Sequence, residues 1–97
     1  MLTLLVAASV EAQVVFGVPD CGQWVKENTQ PRKAWLLGFM SGMNSVHMKG
    51  ISSPADPLDK LNTANQMFLW MDNYCKNNPL DSVADGAFAL YLELARK

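Results

Sequence analysis

The stretch Thr63–Lys76, TANQMFLWMDNYCK, decides the fold. Thr63 stands three residues before Gln66, the spacing of a capping box, so the main body of a helix starts here. Ala64, Met67, Phe68, Met71 and Cys75 then recur at helical intervals, within about 100° of one another around the axis. Trp70 and Tyr74 flank that apolar face. Asn65, Gln66, Asp72, Asn73 and Lys76 oppose it, and Leu69 is an anomaly on the polar side. Cys75 falls at the centre of the face that is expected to be buried.

Downstream, Asn78-Pro79-Leu80-Asp81 carries helix-start chemistry: Asn78 as cap, Pro79 at the first position and Asp81 as a first-turn charge. A helix from Pro79 to about Arg96 is predicted. Its core face would be Leu80, Val83, Ala84, Ala87, Leu90, Tyr91 and Leu94, with Phe88, Leu92 and Ala95 as a second apolar strip. So broad a surface implies a central helix, or one that also meets a partner chain.

Upstream, Pro31 opens a helix that runs to about His47. Between Ala34 and Val46 there is no formal charge. Ala34, Gly38, Ser41, Gly42 and Ser45 share a narrow stripe, with Trp35, Phe39, Met43 and Val46 beside it. Two glycines inside a helix cost roughly 1 kcal/mol each against alanine, which predicts close backbone approach at Gly38 and Gly42. The run is too short to span a bilayer. Asp20 is a candidate cap for a short helix carrying Cys21, Trp24 and Val25, and residues 13–18 read as an extended lead-in. Asp56-Pro57 is a second helix-start signal inside the 47–60 loop. The expected fold is therefore all-α: three main helices plus a short N-terminal one, with Trp24, Trp35, Gly38, Gly42, Phe68 and Met71 as packing residues.

The chain has 97 residues, 49% hydrophobic and 18% charged, with a formal net charge of −1. That is the composition of one folded domain. Its basic residues are scattered, which argues against nucleic-acid binding. Residues 1–12, MLTLLVAASVEA, are mostly apolar and end in Val10-Glu11-Ala12, a signal-cleavage pattern that leaves 13–97 as the mature domain. No Lys or Arg precedes Lys26, so the positive start of a typical leader is missing. The other reading is an apolar first element of the domain. A stable membrane anchor is not expected, and the chain is placed in the periplasm or outside the cell.

Cys21 and Cys75 are the two cysteines. In an exported chain they most simply pair; in a cytosolic one they would be buried thiols. Pairing would stabilise a small domain by about 4 kcal/mol through loop entropy. Two Cys and one His fall short of the usual four-ligand zinc set, so no metal and no cofactor are expected. His47 is the sole histidine, and no carboxylate pair has acid–base spacing, so no catalytic residues are assigned.

Cys21-Gly-Gln-Trp24, the basic pair Arg32-Lys33, Trp35-Leu-Leu-Gly38-Phe-Met-Ser-Gly42, Gln66 and Tyr74-Cys75-Lys-Asn-Asn-Pro79 follow in order. Over roughly residues 21–90 this series resembles the small periplasmic type VI amidase-immunity (Tai/Rap) family. The resemblance implies a helical, disulfide-bonded, non-enzymatic protein that blocks a peptidoglycan-cleaving effector enzyme. Further cysteines common in that family are absent here. The alternative is a periplasmic stress chaperone resembling the HdeA type, acting on client proteins, which the six methionines and the broad apolar last helix also suit. Either reading requires a protein partner and admits a homodimer. His47, Lys49, Ile51, Phe88 and Leu92 are the candidate partner-contact residues.

Overall fold

A computed structural model describes residues 15–27, 29–50 and 55–97. The expected leader, residues 1–12, and the candidate contact Ile51 lie outside the described residues. Among the described residues there are four α-helices and one 3-10 turn: α1 (Cys21–Lys26), α2 (Gln30–Gly50), the turn Pro57–Lys60, α3 (Ala64–Asn77) and α4 (Val83–Arg96). The predicted all-α bundle with its short first helix is the observed architecture. Helix α4 packs against α2, α3 and the 3-10 turn, so it occupies the centre expected of its wide apolar surface, while α1 packs on α3.

Cap chemistry sets the element boundaries. Asp20 caps α1, accepting from the Gln23 amide at 2.7 Å, while Gln23 Oε1 accepts from the Asp20 amide at 2.9 Å. Both upstream signals of the middle region are used. Asp56 accepts from the Leu58 amide at 2.9 Å to open the 3-10 turn, and Thr63 caps α3. Gln66 reaches back one residue further than a standard box, accepting from the Asn62 amide at 2.6 Å.

The last helix starts later than its sequence signal. Asn78 is the C-cap of α3, and its Nδ2 donates to the Tyr74 carbonyl at 2.9 Å. Pro79 and Leu80 form a turn, and Leu80, expected in the core, is 99% exposed. Ser82 is the true cap of α4, in a capping box with Asp85. The physical reason is a competing use of backbone groups. The Cys21 amide donates to the Asp81 carbonyl and the Val83 amide donates to the Pro19 carbonyl, both at 2.9 Å, forming an antiparallel bridge between Asp20 and Ser82. A helix running through 79–82 would have taken the Asp81 carbonyl for its own ladder.

The core joins Cys21 and Trp24 of α1, Leu36 and Met40 of α2, Met67, Met71 and Cys75 of α3, and Val83, Ala87, Leu90, Tyr91 and Leu94 of α4. Cys21 and Cys75 are bonded, with Cα atoms 4.8 Å apart, and both are buried. Trp24 is fully buried, and its Nε1 donates to Asp72 at 2.7 Å. Phe68 lies half-buried beside Trp24, with ring centres 6.3 Å apart, and the Lys33 ammonium sits 5.4 Å above the Phe68 ring.

The stripe reading of α2 needs correction. A Cβ added at Gly38 or at Gly42 would have nothing within 4 Å, and both residues are exposed. Among the described residues no backbone approaches them. Helix α2 instead buries Leu36 and Met40, a face rotated away from the glycines. The glycine at a close approach is Gly86 of α4. A Cβ there would stand 2.6 Å from Met71 Sδ and 2.8 Å from Tyr74 Cδ2, so Gly86 is what lets α3 and α4 come together.

Candidate functional site

The exposed glycines of α2 form the floor of a groove. Gly38, Phe39, Gly42, Met43, Val46 and His47 come from α2, Phe88 and Tyr91 from α4, and Val15 from the lead-in. The groove is shallow and open to solvent, with a volume of about 720 Å³. Its lining is almost wholly apolar because the charge-free run from Ala34 to Val46 supplies one side and Phe88 and Tyr91 of α4 supply the other.

Aromatic contacts stiffen the walls. Trp35 stacks on Phe39 at 4.8 Å between ring centres, and Phe39 meets Phe88 edge-on at 5.5 Å. At the far end His47 meets Tyr91 edge-on, also at 5.5 Å. The Tyr91 hydroxyl donates to Asn44 Oδ1 at 2.8 Å, which fixes the ring across the gap between α2 and α4. Burial, and secondarily the charge of Asp56, pushes the Tyr91 hydroxyl above its ordinary pKa, so it remains a neutral donor at physiological pH.

The groove also has an unsatisfied apolar rim. Val46 is 75% exposed and Phe88 is 41% exposed. Leu92, 60% exposed, lies one turn beyond Phe88 on α4, outside the lining. Of the candidate contact residues, His47 and Phe88 are therefore brought together in the groove. Lys49 is exposed near the end of α2, and Leu92 sits on the outer shoulder. Of the packing residues, Trp24, Phe68 and Met71 serve the interior, Trp35 braces the groove wall, and Gly38 and Gly42 belong to the groove itself.

Val15, Phe39, Met43 and Tyr91 were not expected at a site, since apolar side chains at helical spacing ordinarily pack inside. The absence of charge over a full 13 residues of α2 was the signal that could have found them. The remaining polar pairs are structural. Tyr74 Oη donates to Asp81 Oδ2 at 2.5 Å, tying the end of α3 to the turn before α4. Burial, then that hydrogen bond, then the charges of Asp81 and Asp85 push the Tyr74 hydroxyl up to about 12. Among the described residues no group of three His, Cys, Asp or Glu side chains could hold a metal ion, and no helix is long and apolar enough to cross a membrane. Comparison with known protein families, with curated proteins and with solved structures finds no match.

Proposed function

We propose that this protein is an exported, non-catalytic binding domain that receives a protein partner on the groove between α2 and α4. The observation that carries the reading is the exposed apolar groove itself. Val46 and Phe88 leave a hydrophobic rim in solvent on a chain small enough to need every apolar residue inside. The buried Cys21–Cys75 bond is compatible with an oxidising compartment. Within this reading the partner is a peptidoglycan amidase delivered as an effector, and the groove accepts an apolar segment of that enzyme.

The test is capture from periplasmic extract together with an amidase inhibition assay. Val46→Asp and Phe88→Asp should each weaken inhibition by at least tenfold, while Leu80→Asp, remote from the groove, should leave it unchanged. Equal inhibition by all three variants overturns the groove as the binding face. Suppression of aggregation of many clients, without a stoichiometric partner, would replace the inhibitor reading with a chaperone; exposed Leu69 and Leu92 beyond the groove favour that second reading.

A further inference from the structure

Leu69, the apolar residue on the polar side of α3, is 61% exposed and takes no part in the core. It stands on the lip of a second cleft, open and about 310 Å³ in volume, that shares no residue with the α2–α4 groove. Helix α3 lines this cleft with Gln66, Leu69, Trp70 and Asn73, and α4 lines it with Leu90, Glu93 and Leu94. Each set follows the three- and four-residue spacing of one helical face. Lys60 and Lys97 complete the lining.

The charges in the cleft are matched from within the protein. Lys60 Nζ donates to the Leu94 and Lys97 carbonyls, both at 2.6 Å, at the negative end of α4. The Lys97 ammonium lies 3.9 Å from the Glu93 carboxylate. Neutral hydrogen-bonding groups are what remain. Of the three tryptophans, Trp24 donates its indole N–H to Asp72 and Trp35 donates to the Phe16 carbonyl. The half-buried Trp70 has no hydrogen-bond partner among the described residues. The Asn73 side chain has none either, and Gln66 uses only Oε1, which accepts from the Asn62 amide. Trp70 is also held in place, since its ring stacks on Tyr74 at 5.4 Å with 12° between the planes, and Tyr74 is tied to Asp81.

We propose that this cleft binds a neutral sugar ring. A pyranose has an apolar C–H surface for Leu69 and Trp70, and a girdle of hydroxyls that both donate and accept. Those hydroxyls supply partners for Trp70 Nε1, the Asn73 amide and Gln66 Nε2. A purely apolar ligand would leave these three groups unpaired as it covered them. An anion would have to compete with the carbonyls for Lys60 and with Glu93 for Lys97. The site is independent of the groove and of the partner assigned to it.

The test titrates the full chain, labelled with nitrogen-15 at the tryptophan indoles, with a glucose trimer and separately with an N-acetylglucosamine trimer. The Trp70 indole signal should move saturably with at least one of them, with half-saturation in the millimolar range expected of a small open cleft, while the Trp24 and Trp35 signals stay in place. Asn73→Ala, at an exposed position, should weaken binding at least threefold, and Leu80→Asp, outside the cleft, should leave it unchanged. No saturable movement with either sugar overturns the proposal, as does movement at Trp35 in place of Trp70. Undiminished binding in Asn73→Ala overturns it too. So does equal movement of the Trp70 signal by sodium acetate at constant ionic strength, because an anion would then be the ligand.

Discussion

Three glycines make opposite predictions at the scale of single residues. A side chain at Gly86 collides with Met71 and Tyr74, so Gly86→Ala should destabilise the fold by about 1–3 kcal/mol despite the better helix propensity of alanine. At Gly38 and Gly42 nothing stands in the way, so Gly38→Ala and Gly42→Ala should each stabilise by about 0.5–1 kcal/mol. Urea denaturation reads all three, and a loss of stability at Gly38 would contradict the open floor. Sequence reasoning reversed these roles. It took two glycines at helical spacing as a packing seam, whereas the seam rests on a lone glycine whose neighbours come from another helix. Tyr74 offers a second residue-scale test. Its folded pKa, near 12, lies above the ordinary value of 10.0, so its contribution is complete below pH ~10 and is lost as pH climbs from there to ~12. Tyr91 and Tyr74 are the two tyrosines, so absorbance titration of Tyr91→Phe follows Tyr74 directly. A midpoint near 10 would mean that neither the burial of the Tyr74 hydroxyl nor its Asp81 hydrogen bond holds in solution.

The elements were legible where one local signal controlled each boundary, and misread where tertiary contacts chose between two signals. Asp20, Asp56 and Thr63 were all read as caps from their side chains, and all three cap. Asn78-Pro79 carries equally good chemistry, yet the bridge to residues 19–21 claims the backbone around Asp81, and Ser82 starts α4 instead. Ser82→Ala should therefore cost about 1 kcal/mol. Leu80→Asp should change stability by less than about 0.5 kcal/mol, because the side chain is already in solvent. The reverse ranking would restore the earlier helix start. The orientation of α2 was hidden for a different reason. Its faces differ little in polarity, so periodicity could not say that Leu36 and Met40 point inward while Gly38 and Gly42 point out. The same uniformity concealed the groove.

For the whole molecule, the disulfide between α1 and α3 is the feature most clearly written in the sequence. Two cysteines behind an apolar leader most simply pair, with buried thiols as the other reading, and the structure bonds them. Replacing both cysteines by serine should lower stability by about 4 kcal/mol, measured by denaturant midpoint. A change under about 1 kcal/mol would show that the bridge at Ser82 and the buried Trp24 hold α1 without it. The groove, by contrast, depends on how two uncharged surfaces and the lead-in meet in space. The bond also divides the chain mechanically. Residues 21–75 form a closed loop, and α4 hangs outside it although it lies at the centre of the core. Tension applied at the two ends bypasses that loop through the sulfur atoms and falls on α4. A stretched molecule should therefore release only the segments flanking the loop, about 22 residues or roughly 75 Å of contour after Cys75 together with the shorter lead-in before Cys21, before stopping at the covalent link. Adding a reductant should more than double that length, making the molecule a tether whose reach is set by a single bond.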